Sequence, residues 1–201
     1  MRAVAAALLI VLLGSARGAT GADDLSFVTE GVVPAPIADV WRVWSTADGF
    51  KATGVALADV DLRVGGLIRS RYAAGGVLGD EQTIENEILA YEPPRMMAIR
   101  IHRPPANFPF KEAWKHTWTV VTLTPVEGNR THVRAASLGY GTDAESLAMR
   151  RFFERGNQQT LDALAAYFSR AAARCRQRAV TRIGMSRLAL RGFPFDVCAS
   201  T

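Results

Sequence analysis

The chain has 201 residues and a net charge of +5, with 24 lysine and arginine residues against 19 acidic residues. This length fits one domain with a complete core plus a short extension. The chain contains no internal repeat and no low-complexity linker, and its two cysteines form no metal-binding motif. These features exclude a repeat protein and a cysteine-based metal site.

The excess of positive charge lies at the end of the chain. Residues 170–201 carry seven arginines against one acidic residue, Asp196, whereas residues 23–169 hold more acidic than basic residues. A nucleic-acid-binding protein normally carries its basic charge on the folded domain, so we expect no nucleic-acid partner. We expect a solvated basic extension over residues 171–201, and weak contact with anionic lipid headgroups is the alternative.

The first residues are typical of a signal peptide. Arg2 precedes an apolar run over residues 3–13, and small residues follow to Ala22. The run is shorter than the ~20 residues of a spanning helix, but it suits a signal-peptide core. We therefore expect a signal peptide over residues 1–22, a mature chain that starts between Ala19 and Asp23, and a secreted or periplasmic protein. An uncleaved membrane anchor is the alternative.

The next elements are one strand and a short helical segment. Residues 25–33 predict the strand. Within residues 36–50, Ile37, Val40, Trp41 and Trp44 fall at the spacing of one helical face. Gly49 predicts a break before a second short turn.

Turn residues then divide the chain into consecutive strands. Glycine pairs, proline pairs and a five-residue turn over 125–129 separate segments that are rich in β-branched or alternating residues. The segments read as hairpins and predict an antiparallel meander. The predicted strands cover residues 56–64, 67–73, 82–91, 96–102, 114–124 and 131–137.

One long helix is expected over residues 143–169. Its apolar stripe passes through Met149, Phe153, Leu164 and Phe168, and Gly156 interrupts it at a cost of up to ~1 kcal/mol. A close approach of the helix to the sheet, or room for a ligand, would account for this glycine. A curved sheet around one helix leaves part of its interior unfilled, so the pattern indicates a cavity for an apolar ligand.

The segment 103–110 is unlike an ordinary polar turn. It contains three prolines together with Phe108 and Phe110, and it connects two strands that should border the cavity. Such a stiff apolar loop can act as a lid. The alternative is that the two phenylalanines plug the edge of the core.

Five segments in order resemble the SRPBCC or START-like superfamily, which includes the birch-pollen allergens. Within it the chain is most similar to the branch named for the activator of the heat-shock chaperone ATPase. The segments are DVWRVW (39–44), VDLRVGGLI (60–68), ILAYEPPR (88–95), VTLTP (121–125) and LDALAAY (161–167), the last one preceded by Gly156.

The resemblance implies an α+β helix-grip (START-like) fold. In it, a curved antiparallel sheet surrounds a long C-terminal helix, and two short helices follow the first strand. It implies a domain over residues 23–170 with an internal pocket. It transfers no mechanism, because the family carries no universal catalytic residues. The chain departs from the branch at Asn157, where an aromatic is usual, and over residues 50–53, where tryptophan is frequent.

The cavity should be lined by aromatic residues that supply buried contact area, with Asn86 and Asn157 orienting a polar group. Asn86 belongs to the inward face of its strand if the glutamates at 81, 85 and 87 lie on a solvated outer face. Trp118 lines the cavity if its face of the strand points inward. The opposite face, made of Thr117, Thr119, Val121 and Leu123, is the alternative inward face. The ligand-binding candidates are Trp41, Trp44, Tyr72, Ile84, Asn86, Ile99, Trp118, Val121, Phe153, Asn157 and Thr160.

No catalytic residue, metal site or cofactor is predicted. The three histidines share no metal-ligand spacing, and no serine stands in a nucleophile motif. His116 lies in an aromatic setting, and we interpret all three histidines as structural or surface residues.

Cys175 and Cys198 are the only cysteines. An oxidising compartment would permit a disulfide between them, whereas two free thiols are expected in the cytosol.

We predict a protein that binds a small apolar or amphipathic ligand in an internal cavity, and two other functions remain as alternatives. A carrier of a small apolar or amphipathic molecule predicts a pocket lined almost wholly by apolar atoms. An enzyme resembling the polyketide cyclases or dehydrases predicts a titratable pocket group with a perturbed pKa. A protein-interaction module resembling the chaperone activator is the third, and the leader argues against it, because that chaperone is cytosolic.

Overall fold

A computed structural model of the chain describes residues 25–184. The predicted signal peptide and Cys198 lie outside the described residues. Two single-turn 3₁₀ helices, Lys51–Thr53 and Ala113–His116, accompany the main elements. The main elements are β1 (Phe27–Val33), α1 (Ile37–Ser45), α2 (Ala47–Phe50), β2 (Leu57–Val60), β3 (Leu67–Arg71), β4 (Ile84–Glu92), β5 (Met96–Arg103), β6 (Trp118–Val126), β7 (Arg130–Leu138) and α3 (Ala144–Gly184).

The strands form one antiparallel sheet in the order β1-β7-β6-β5-β4-β3-β2. Consecutive strands from β2 to β7 pair as hairpins, and β1 closes the other edge against β7. Helix α3 packs over this sheet, and α1 and α2 follow the first strand. The predicted α+β helix-grip fold is confirmed.

The break between the two short helices falls at Thr46, whereas the sequence predicts it at Gly49. Thr46 has an extended backbone, and its hydroxyl accepts a hydrogen bond of 3.0 Å from the Gly49 N–H, which caps α2. Gly49 is needed for a different reason. A Cβ at this position would lie 2.0 Å from the carbonyl oxygen of Arg42, so only glycine lets α2 fold back against α1.

Two strand boundaries lie four residues from their predicted positions, the end of β2 and the start of β6. β2 ends at Val60, because the following residues turn at Gly65, which has φ +77°. The Gly65 N–H donates to the Ile88 carbonyl, and the Ile88 N–H donates to the Gly66 carbonyl, so this turn pairs with β4. β6 begins at Trp118, because the preceding residues form a 3₁₀ helix that the Thr117 hydroxyl closes by donating to the Trp114 carbonyl.

Helix α3 is longer than expected. It begins after Asp143, whose carboxylate accepts hydrogen bonds from the N–H and the hydroxyl of Ser146, and it ends at Gly184 where the sequence predicts an end near Ser169. Residues 170–183 are rich in alanine and arginine and contain no glycine or proline, so helix propensity extends the helix. None of the described side chains after Phe168 is buried, and the predicted domain boundary at residue 170 stays a prediction.

The extension carries Cys175, which is disulfide-bonded.

The core contacts explain where α3 approaches the sheet. A Cβ at Gly31 of β1 would lie 3.0 Å from Cδ2 of Leu161, so this glycine lets the helix seat closely on the edge strand. A Cβ at Gly156 would meet nothing within 4 Å. The close approach that the sequence suggested for Gly156 is therefore found at Gly31, and Gly156 faces open space.

The two glycines Gly49 and Gly156 make a matched pair for alanine substitution. Gly49→Ala should destabilise the protein by about 1–3 kcal/mol, because the new methyl group overlaps a backbone carbonyl. Gly156→Ala should stabilise it by up to about 1 kcal/mol, because a mid-helix methyl group meets no neighbour. Denaturant unfolding of both variants measures the difference. Equal effects of the two substitutions would contradict this account.

Candidate ligand cavity

A cavity of about 460 Å³ lies between the inner face of the sheet, helix α3 and the α1–α2 segment. Its walls come from every strand except β2, from both short helices, and from α3. This volume lies within the range of small-molecule sites.

Ten of the eleven sequence-predicted residues line this cavity. Whether they bind a ligand stays a prediction. Tyr72, which is 66% exposed, lies at the mouth with Trp118. The residues that the structure brings together are Trp44, Tyr72, Ile84, Asn86, Ile99, Trp118, Val121, Phe153, Asn157 and Thr160.

Trp41, the eleventh predicted residue, is not among the residues that line this cavity. Trp41 is 9% exposed and belongs to the main core cluster with Leu123 and Val133. Trp44, one turn later on the same face of α1, reaches the cavity. The spacing of apolar residues identifies the buried face of a helix, but it does not say which turn of that face meets packed side chains and which meets a void. The indole Nε1 of Trp44 is buried and finds no acceptor among residues 25–184.

Successive side chains of β4 point to opposite faces of the sheet, and its charged and uncharged residues lie on different faces. Ile84 and Asn86 face the cavity, as the sequence predicts, whereas Glu85 and Glu87 face outward. Glu85 is only 9% exposed, so it is more buried than the solvated outer face that the sequence predicts. Its carboxylate accepts a hydrogen bond of 2.8 Å from Arg103, which holds the pKa of Glu85 below its ordinary value.

One face of strand β6 lines the cavity. Trp118, the first residue of the strand, lines it as well, although it lies on the other face. Thr117, Thr119 and Val121 line the wall, as expected for alternate residues. Trp118 belongs to the other parity and is 41% exposed. Its ring lies beside Gly139, where a Cβ would stand 2.9 Å from Cζ3 of Trp118, so the indole lies over the strand edge at the mouth.

The loop after β5 covers the cavity. Residues 104, 105, 107, 108 and 109 all line it. The Phe108 ring centroid lies 6.2 Å from that of Phe153 and 6.3 Å from that of Phe152 on α3, and 5.3 Å from that of Phe110. The loop therefore forms part of the cavity wall, and Phe108 and Phe110 also pack against a second core cluster around Phe27 and Met149. This packing agrees with the interpretation that the two phenylalanines fill the edge of the core, and the role of the loop as a lid stays a prediction.

One side of the cavity carries a short hydrogen-bonded chain. The Asn157 amide donates to the Ser137 hydroxyl at 3.2 Å, and the Ser137 and Thr119 hydroxyls lie 3.2 Å apart. Ser137 is 1% exposed, so this chain fixes the Asn157 side chain against the sheet. The departure from the family pattern at Asn157 thus places an amide in the wall where an aromatic ring is usual.

Several polar lining residues were missed by the sequence interpretation. Thr29, Ser70 and Tyr140 are each at least nine-tenths buried, and their hydroxyls have no hydrogen-bond partner among the described residues. Thr29 and Ser70 could have been found from strand parity, because each alternates with outward residues on its strand. Tyr140 lies after β7 in an irregular segment, where no periodicity marks it.

The Asn86 amide also has no side-chain partner in the described part of the chain. Its register partners on the adjoining strands are Ile68 and Ile101, which offer no hydrogen bond. Ser70 is its diagonal neighbour on β3, since Ser70 pairs with Ile84. Asn86 and Ser70 therefore lie at diagonal positions of adjacent strands and form a polar pair on this part of the wall.

None of the residues that line the cavity is charged at neutral pH. Burial raises the pKa of Tyr140, so its phenol stays protonated. His102 and His116 are exposed, and His132 lies 3.6 Å from Glu30 on the surface.

Among residues 25–184, no group of three acidic, histidine or cysteine side chains could hold a metal ion. No helix within these residues has both the length and the hydropathy to cross a bilayer.

A family model described as "Polyketide cyclase / dehydrase and lipid transport" matches residues 24–169. No curated protein matches the chain by sequence.

Solved structures with this fold are numerous and distant in sequence. A Mesorhizobium loti protein, MLL2253, has a TM-score of 0.56 at 20% identity, covering 72% of this chain and 97% of its own. An HSP90 activator from Plasmodium falciparum has a TM-score of 0.54 at 16% identity, covering 72% and 96%. An AHSA1-like protein from Aeromonas hydrophila has a TM-score of 0.53 at 18% identity, covering 74% and 94%. At these identities the likeness shows the fold.

The positions of Trp41, Trp44 and Phe153 lead to a test of the cavity. Phe153→Ala and Trp44→Ala should weaken binding of the apolar fluorophore N-phenyl-1-naphthylamine by about 1–3 kcal/mol, because both rings line the cavity. Trp41→Ala should lower the free energy of unfolding by about 3–5 kcal/mol, because its ring fills the core. Fluorescence titration and denaturant unfolding on each variant separate the two roles. Large destabilisation with unchanged probe affinity in Trp44→Ala or Phe153→Ala would remove those residues from the site.

Proposed function

The chain belongs to the polyketide cyclase / dehydrase and lipid transport family, and we propose that, of the roles this description names, it carries a small molecule. The ligand is a small apolar or amphipathic compound held in the cavity between the sheet and α3. The family description covers enzymes as well as transport, so the choice between them rests on the cavity itself.

The observation that carries the proposal is the chemical character of the wall. Aromatic and aliphatic side chains dominate it, and its polar residues are uncharged amides and hydroxyls. Sites of this kind bury an apolar ligand and orient it with a few polar contacts. General acid–base catalysis needs a group that exchanges a proton near the working pH, and no histidine or carboxylate lines the wall.

The rival proposal is an enzyme of the cyclase or dehydrase type, and Tyr140 is the observation in its favour. Its phenol is a buried titratable group with a perturbed pKa in the cavity, as the enzyme hypothesis requires. The direction of the shift limits its role, because a raised pKa keeps the phenol protonated. Tyr140 can therefore donate a hydrogen bond to a carbonyl oxygen, but it does not act as a base at neutral pH.

The third class, a protein-interaction module, has the P. falciparum HSP90 activator as its structural parallel. That likeness is one of fold at 16% identity. The cavity residues give this class no support, because an interaction module needs no internal void.

Native mass spectrometry of the protein purified from its own host tests the proposal. We expect a population heavier than the apoprotein by the mass of one small organic molecule, which collisional activation releases. The apoprotein prepared by unfolding and refolding should then bind N-phenyl-1-naphthylamine with an affinity that does not change between about pH 6 and about pH 9, because no histidine, cysteine or carboxylate lines the cavity. Absence of both a retained molecule and probe binding would contradict the carrier.

We further propose that the protein is exported. The apolar run over residues 3–13 and the small residues after it support a cleaved leader. The disulfide-bonded state of Cys175 agrees with an oxidising compartment.

N-terminal sequencing of the protein from the extracytoplasmic fraction tests export. The first residue should lie between Ala19 and Asp23. An intact Met1 or Arg2 in a membrane fraction would support the uncleaved anchor and overturn the proposal.

The basic end of the chain is proposed to contact anionic membranes weakly. Helix α3 continues past the core with Arg170 and Arg174 exposed on it. Each arginine near an anionic surface contributes about 1 kcal/mol, and salt screens the attraction.

Co-sedimentation with vesicles of phosphatidylcholine and phosphatidylglycerol measures this contact. Replacing Arg170, Arg174, Arg176 and Arg178 by glutamine should reduce the bound fraction, and so should added salt. The control carries Arg151→Gln and Arg155→Gln, which lie on the same helix beside the core and should bind as the unaltered chain does. Equal binding to neutral phosphatidylcholine vesicles would contradict the proposal.

A further inference from the structure

The unpaired polar groups of the cavity restrict the chemistry of its ligand. Ser70 is 3% exposed, and its hydroxyl has no partner among residues 25–184. Thr29 and Tyr140 are 6% exposed each and also lack a partner in the described part of the chain. All three residues line the same cavity, so a molecule that enters it can bond their hydroxyls. A ligand that displaces water from these hydroxyls without bonding them binds less favourably.

Asn86 adds the strongest recognition element. Its amide has two donors and one acceptor, and the isoleucines on both sides of it in the sheet use none of them. With Ser70 as its diagonal neighbour, the pair offers both donors and acceptors at one place on the wall. A hydroxyl or carbonyl oxygen of a ligand satisfies such a pair, because each of these groups accepts a hydrogen bond and a hydroxyl also donates one.

The distribution of charge excludes a charged ligand group from the same place. The ionised side chains of the neighbouring strands pair on the outer face of the sheet, as Arg69 and Arg103 do with Glu85. Within the cavity no cation stands ready for a carboxylate and no anion for an amine. Moving an ionised group from water to such a site without a counter-charge is strongly unfavourable.

We propose that the cavity selects an electrically neutral, oxygen-bearing apolar molecule, and that Ser70 and Asn86 bind a hydroxyl or carbonyl group of it. The inference rests on the proposed carrier function and names the ligand class of the same cavity. It excludes fatty-acid anions, organic sulfonates and protonated amines as the preferred ligands.

Three rigid compounds of one shape test this selectivity at pH 7. They are 2-naphthol, 2-methylnaphthalene and 2-naphthoate, which place a hydroxyl, a methyl group and a carboxylate on the same ring. Each is measured by displacement of N-phenyl-1-naphthylamine from the full-length protein. We expect 2-naphthol to bind at least about tenfold more tightly than 2-naphthoate, because the carboxylate loses its hydration without a partner.

Two substitutions locate the polar contact. Ser70→Ala and Asn86→Leu should each weaken the binding of 2-naphthol by about threefold or more, because each substitution removes one hydrogen bond to the ligand. Binding of 2-methylnaphthalene should stay unchanged or become tighter, which also shows that the variants are folded. Ser169→Ala is the matched control, because this serine is exposed on α3 outside the cavity and bonds only the Ala165 carbonyl.

The outcomes distinguish a failure of the carrier function from a failure of the proposed ligand class. If N-phenyl-1-naphthylamine does not bind at all, the carrier function fails and the ligand class fails with it. If the probe binds but 2-naphthol shows less than a tenfold preference over 2-naphthoate, the cavity is a carrier site without the proposed selectivity. If the selectivity holds but Ser70→Ala and Asn86→Leu weaken both neutral compounds equally, the polar contact lies elsewhere and the role of this pair is overturned.

Discussion

The seating of helix α3 on one edge of the sheet determines the rest of the structure. The helix makes its main contact with the sheet along β1, where Gly31 lets Leu161 approach to van der Waals contact. From this edge the sheet continues through β7, β6 and β5 to β2. The other main contacts of α3 are with the two 3₁₀ helices and not with the central strands, so the space over the central strands is left open. The cavity is therefore a consequence of how these two elements meet.

The strand period then determines the chemistry of that space. Alternate residues of a strand point to opposite faces, and on β4 this places Glu85 and Glu87 outside while Asn86 remains inside. The ion pairs hold their charges on the outer face. The cavity receives apolar side chains together with uncharged hydroxyls and amides, and the buried phenol of Tyr140 keeps its proton. A mainly apolar cavity with a few uncharged polar groups follows from the pattern of the chain.

Much of this arrangement could be predicted from the sequence, because turn residues and strand parity are local signals. Asn86 was identified inside the cavity from the alternation of its neighbours alone. Trp41 packs in the core and not along the cavity, because one helical face serves both, and only the tertiary contacts distinguish them. Tyr140 was missed, because it follows β7 in a segment without periodicity. The end of α3 was misjudged for a different reason, since good helix formers extend a helix beyond the residues that pack.

Methyl-resolved NMR of the protein with N-phenyl-1-naphthylamine tests the central claim most directly, since it reports where the molecule lies. The account predicts that the methyl resonances of Ile84, Ile99 and Ile101 shift on addition of the probe, because these side chains line the cavity. The exposed methyl groups of Val28 and Val32, on the opposite face of β1, should stay unchanged. Shifts at these two valines without shifts at the three isoleucines would show surface binding and contradict the account.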